Sequence, residues 1–130
     1  MMKSLKYYKI KIEAFFRDIK WAVQRARRGY SDGDLYSIKD YVWKTWPLML
    51  RAFAKNTHTH PIDMTHGEWV DILERMAVLC ERSNPDYWID QFSDDNSPDK
   101  EEFIECFRKA DNHLDMFCDM LRTYFPNLWD

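Results

Sequence analysis

Leu5, Tyr8, Ile12, Phe15, Ile19, Ala22 and Ala26 recur at alternating steps of three and four residues. At about 100° per residue these positions form one stripe, so residues 4 to 28 are predicted to be a long amphipathic helix. The alternation returns near the other end, in Phe103, Phe107, Ala110, Leu114, Phe117, Leu121 and Tyr124, and predicts a last helix over residues 98 to 125 before Pro126. Ser97 is expected to cap that helix, with Pro98 at its first position. Both apolar stripes are expected to face a core.

Two further helices are predicted between them. The second starts near Asp32 and is expected to bury Leu35, Ile38, Val42 and Trp46, after which Pro47 should kink or restart it before LMLRAFAK. The third buries Trp69, Ile72, Leu73, Met76, Leu79 and Cys80 and ends near Ser83; Thr65 and Glu68 have the spacing of a capping box at its start. Asn84-Pro85 breaks it, and YWIDQF has room for one more helical turn. No β-branched alternation and no Asn-Gly hairpin competes. The expected fold is therefore all-α, a helical bundle of four to five helices with long first and last members, in a single domain over 1–130.

Charge is divided along the chain. Residues 1 to 60 hold 13 Lys and Arg against 5 Asp and Glu; residues 61 to 130 hold 6 against 17. The basic half can pair with the acidic half, within a chain or between subunits, and can also offer an anion a surface. Asp111, Asp115 and Asp119 recur every four residues, so they form either a solvated face or an acceptor for the basic half of another subunit. The N-terminal MMKSLKYYKIKIEAFF interrupts its apolar residues with Lys and lacks the apolar run of a signal peptide or membrane span, so a cytoplasmic protein without a membrane partner is expected. Cys80, Cys106 and Cys118 lie in apolar helical patterns with no C-x-x-C spacing and are expected to be buried free thiols.

The stretch RARRGYSDGDLYSIKDYVW gathers cations, turn residues and rings. Gly29 supplies the left-handed residue that ends the first helix, and Ser31 followed by Asp34 resembles a capping box. On the first helix Trp21 lies opposite the apolar stripe beside Arg17, Gln24, Arg25 and Arg28; on the second, Tyr36, Lys39 and Trp43 repeat the pairing of ring and cation. Two such flanks joined by one turn could line a cleft for a phosphate-bearing ligand, arginine forks taking oxygens and rings stacking a base. The same residues could equally be a structural lock, the arginines bonded to Asp32 and Asp34 around Gly29 and Ser31. Trp21 could also pack within the bundle or at a subunit contact.

His58, His60 and His66, with Asp63, form H-x-H-x2-D-x2-H. This spacing matches no metal signature, so neither a metal site nor a cofactor is predicted, and such a loop could hydrogen-bond a phosphate instead. Walker, dinucleotide, G-x-S-x-G and H-E-x-x-H motifs are absent, and no nucleophile sits beside a base, so no catalytic residue is nominated.

W-x3-R-x2-R-G-Y-S-D-x-D-L, carried by Trp21, Arg25, Arg28, Gly29, Tyr30, Ser31, Asp32, Asp34 and Leu35, resembles a group of small phage proteins of unassigned function. The likeness extends through Tyr41, Pro47, Met49-Leu50-Arg51, the His58/Pro61 loop, MTHGEW and the closing Leu128-Trp129-Asp130. Where the family has His-Gly, this chain has His58-Thr59. The resemblance implies a phage-encoded protein in the cytoplasm of an infected bacterium, and by analogy an anti-defence role. Joined to the cation-and-ring stretch, it leads to one expected function: non-catalytic sequestration of a nucleotide-type signalling molecule by a homo-oligomer. Arg25, Arg28 and Arg51 would meet phosphates, Trp21, Tyr30, Tyr36 or Trp43 would stack a base, and His58 and His60 would close the loop. The alternatives are direct inhibition of a host defence protein, or a nucleic-acid-binding or structural accessory role.

Overall fold

A computed structural model of the chain describes residues 2–129. The elements are α1 (Met2–Arg28), a 3₁₀ turn (Gly33–Tyr36), α2 (Ile38–Asn56), α3 (His66–Arg82), α4 (Pro85–Ile89), α5 (Lys100–Tyr124) and a closing 3₁₀ turn (Phe125–Asn127). The fold is all-α, and the first and last helices are long, with 27 and 25 residues. None of its helices is long and apolar enough to cross a membrane, among the described residues. The chain gathers into two compact units, Met1–Tyr41 and Val42–Asp130.

The second unit contains the core. α3 supplies its middle: Trp69, Leu73, Met76, Ala77, Leu79 and Cys80 are all buried. The predicted capping box is formed, with Thr65 N–H donating to Glu68 Oε2 at 2.8 Å and Glu68 N–H to Thr65 Oγ1 at 3.2 Å, which satisfies donors the helix start would leave unpaired. Met76, Leu79, Cys80 and Phe117 form one buried cluster; Ala54, Trp69 and Leu73 form a second, to which Tyr124 and Leu128 add. Ser83 ends α3, donating its hydroxyl to the Cys80 carbonyl at 2.6 Å and accepting from Trp43 Nε1 at 2.9 Å. Asn84 then caps α4, with Pro85 in its first turn.

Several sequence expectations are corrected. α5 is capped by Asp99, which accepts from Glu102 N–H at 2.8 Å, so Ser97 and Pro98 lie outside the helix; a carboxylate at a helix start is stabilised by the dipole as well as by the bond. Along α5 the buried positions are Cys106, Ala110 and Phe117, whereas Phe103, Phe107 and Leu114 remain exposed. The stripe keeps a 3.5-residue period, while a straight helix turns every 3.6, so the face drifts. Cys118 is exposed, unlike Cys80 and Cys106.

α2 does not begin near Asp32. Residues 33–36 close a 3₁₀ turn, Ser37 is extended, and the helix opens at Ile38, so Leu35 and Ile38 are exposed instead of buried. Pro47 neither stops nor restarts α2: it is buried inside the helix, and its packing offsets the backbone bond it cannot donate. In α1 the expected core stripe is exposed throughout, from 67% at Leu5 to 46% at Ile19. Periodicity identified the apolar face of that helix and not what covers it.

Candidate functional site

The Met1–Tyr41 unit is built around its joint. Gly29 takes φ 83°, a conformation that glycine adopts without strain, and its N–H closes α1 onto the Arg25 carbonyl at 2.9 Å. The chain turned back this way brings two aspartates to the arginines. Arg25 Nε and Nη2 donate to Asp34 Oδ2 and Oδ1 at 3.0 and 2.8 Å, a two-point pairing that fixes the guanidinium plane. Arg28 donates to Asp32 Oδ1 at 2.5 Å and to the Tyr30 carbonyl at 3.0 Å, and its guanidinium lies 4.4 Å from the centre of the Tyr30 ring.

Ser31 and Asp34 bond reciprocally. Ser31 N–H donates to Asp34 Oδ2 at 2.7 Å and Asp34 N–H to Ser31 Oγ at 3.2 Å, the capping-box pattern closing a 3₁₀ turn in place of the next helix. Arg25 and then the Ser31 N–H hold the Asp34 carboxyl well below the usual carboxylate range. Gln24 and then Arg28 lower that of Asp32. In return Asp34 raises the Arg25 guanidinium, which stays charged at any accessible pH.

Sequence reasoning passed over three parts of this joint. Gln24 clamps Asp32, donating from Nε2 to Oδ2 and accepting the Asp32 N–H, both at 2.8 Å; its place on the Trp21/Arg28 stripe was the available signal. Tyr41 donates its hydroxyl to the Gly29 carbonyl at 2.7 Å. Gly33 is a packing requirement: a Cβ there would come within 2.9 Å of the Trp21 ring. Trp21 is thus half-buried, against Gly33 on one side and with the Arg17 guanidinium 4.8 Å from its ring centre. No sequence pattern announces such a fit. Gly33→Val is expected to displace Trp21, shifting its indole N–H resonance in an NMR spectrum, at an overpacking cost of about 1–3 kcal/mol within this unit. An unmoved resonance would mean that ring and turn do not touch.

Beside the lock, Tyr30, Asp34, Leu35, Ile38 and Tyr41 line an apolar dimple of about 200 Å³. Tyr36, which follows Leu35 in the chain, is 89% exposed and does not line it.

The remaining predicted site residues belong to the Val42–Asp130 unit, and they are dispersed there. Trp43 packs against the Met76/Phe117 cluster and donates to Ser83, so it serves the core. Arg51 is ion-paired with Glu81 and lies 3.8 Å from Glu74. His58 is exposed; His60 contacts the Pro61 carbonyl through Nδ1 at 2.9 Å, and its ring centre is 6.4 Å from that of His66. Among the described residues no three His, Cys, Asp or Glu side chains are grouped to hold a metal ion. The cavities of this unit include an apolar one of about 270 Å³ between α2 and α5, floored by Phe117 and Leu121, an open one of about 390 Å³ between α3 and α5, and an open cleft of about 530 Å³ where α4 meets the acidic start of α5.

Fold and joint together describe a small all-α protein whose arginine-rich stretch is organised by its own carboxylates. Comparison with known proteins adds nothing to that description: no family model, curated protein or solved structure matches the chain.

Proposed function

We propose that the chain is a non-catalytic binding protein, phage-encoded as its motif resemblance implies, which uses the RGYSDxDL joint to dock on a protein of the host's defence. The observation that carries this reading is the 200 Å³ apolar dimple of Tyr30, Leu35, Ile38 and Tyr41 beside a rigid charged lock. Sites that enclose small ligands measure about 300–1,000 Å³, so the dimple suits a single apolar side chain projecting from a protein surface. Rigid rings and a prearranged arginine pair are the residues that dominate protein interfaces.

Sequestration of a nucleotide is the second reading, favoured by the density of arginines and rings in the joint. It requires Arg25 and Arg28 to exchange Asp34 and Asp32 for phosphate oxygens, against two charge-assisted pairings already made.

Leu35→Glu separates the two. Tagged protein recovered from phage-infected bacteria is expected to retain a stoichiometric host protein that the Leu35→Glu variant loses, with far-UV helicity unchanged. Native mass spectrometry against cyclic nucleotides and ADP-ribose derivatives should show no added mass. A discrete increment, abolished by Arg25→Ala, would overturn protein docking in favour of sequestration.

A further inference from the structure

We propose that the apolar face of α1 docks on the α5 helix of a second copy of this chain. The joint uses only one side of α1. Trp21, Gln24, Arg25 and Arg28 all turn toward residues 30–36. On the opposite side Leu5, Tyr8, Ile12, Phe15 and Ile19 stand between 46% and 67% exposed, a continuous apolar strip along a helix of 27 residues. Steps of three and four residues are those of a coiled-coil seam, a pattern that faces a partner helix. Isolated apolar side chains on a surface need no explanation, but an uninterrupted strip several turns long does.

Charge selects the partner. α1 carries nine Lys and Arg against two Asp and Glu, a net +7, so pairing two α1 helices with each other would oppose like charges along the whole seam. α5 offers the complement. Its six Asp and Glu outnumber four Lys and Arg, and Asp111 and Asp115 are exposed one turn apart. Beside them Phe103, Phe107 and Leu114 are 42–44% exposed, leaving an apolar edge on the flank that the core does not cover. The lengths agree, about 40 Å for α1 and about 37 Å for the 25 residues of α5. Reciprocal exchange, each α1 on the other copy's α5, uses the same two surfaces twice and closes as a two-fold dimer. The dimple and lock lie on the other side of α1 and stay available to a further partner.

A charge-exchange experiment tests this on the full chain. Native mass spectrometry should find twice the 15.9 kDa chain mass for the unaltered protein. Ile12→Glu with Phe15→Glu should return it to the single-chain mass at unchanged helicity. The pair Asp111→Lys with Asp115→Lys makes both surfaces positive, and the set Lys6→Glu, Lys9→Glu, Lys11→Glu and Lys20→Glu takes α1 from a net +7 to −1, the sign of α5. Each variant alone should lose dimer, and an equimolar mixture, one partner ¹⁵N-labelled, should recover a mixed dimer. Three results would overturn the proposal. A dimer that survives the α5 change but not the α1 change would mean α1 pairs with α1. A single chain under all conditions would mean that no second copy covers the α1 strip. A single chain that binds phosphatidylglycerol vesicles through the Ile12/Phe15 face would assign that face to an anionic membrane.

Discussion

Replacing Trp69 with alanine is expected to cost about 3–5 kcal/mol, the range for truncating a large aromatic in a packed core, and to lower the melting temperature by roughly 10–20 °C. Trp69 is 0% exposed and joins Ala54 and Leu73 in the second core cluster, with Tyr124 closing over it at a ring separation of 5.8 Å. The ring is fully enclosed, so its removal leaves a cavity whose cost adds to the lost transfer energy. Trp69→Phe should behave differently. The indole Nε1 is buried without a hydrogen-bond partner among the described residues, a donor whose desolvation is uncompensated. Phenylalanine removes that donor and keeps most of the ring, so its cost should be well under half that of alanine. Thermal melts by circular dichroism measure both. If alanine were nearly neutral, the Ala54/Trp69/Leu73 cluster would not be the hub of this unit; if phenylalanine cost as much as alanine, the indole N–H would have a partner.

α3 was legible in advance because its signals agree with one another. Thr65 and Glu68 announce the start, Trp69 through Cys80 keep one face, and Ser83 precedes a proline by two residues. α5 was legible as a helix but not in its buried face. Phe103, Phe107 and Leu114 look as suited to a core as Cys106 and Ala110, and small residues are buried because α3 and α4 approach closely there, which only the packed structure displays. For α1 the pattern gave the apolar side of the helix, while its exposure depends on the partner that side meets. The joint divides in the same way. Gly29 and the Ser31/Asp34 reciprocity follow from local turn chemistry, and the Arg25 and Arg28 pairings follow from charges placed nine and four residues apart across one turn. The fit of Trp21 over Gly33 depends on shape, which leaves no mark in composition or spacing. Trp43 illustrates the limit for site prediction: a ring on the flank of a helix looks available for stacking until Ser83, forty residues on, accepts its N–H.

Asp34→Asn should undo the joint while leaving the second unit's core intact. Asparagine keeps the shape of the side chain and loses the charge that Arg25 and the Ser31 N–H both address, and its amide nitrogen cannot accept from either. Amide exchange at Ser31 and at position 34 of the variant should then accelerate on the order of tenfold or more, since hydrogen bonds to a charged acceptor are replaced by weaker ones. Acid should reproduce the effect in the unaltered chain. The Asp34 carboxyl is held below its unfolded value, first by Arg25 and then by the Ser31 N–H. Its contribution to the joint is therefore complete above an unfolded pKa of about 3.9 and declines as pH falls from there through the lowered folded value. Following the Gly29 and Ser31 amide resonances from pH 7 to pH 2 should show a transition that starts below about pH 4 in the unaltered chain and is reduced in Asp34→Asn, where Asp32 is the carboxylate of the joint that still titrates. Two outcomes matter for function. If the asparagine variant loses its host protein along with the order of the joint, the lock is what presents the Leu35 dimple in binding form. If instead its joint stays ordered and the freed Arg25 acquires affinity for phosphate, the carboxylates act as stand-ins for an anionic ligand, and the arginine-rich stretch is a nucleotide site held shut by Asp32 and Asp34.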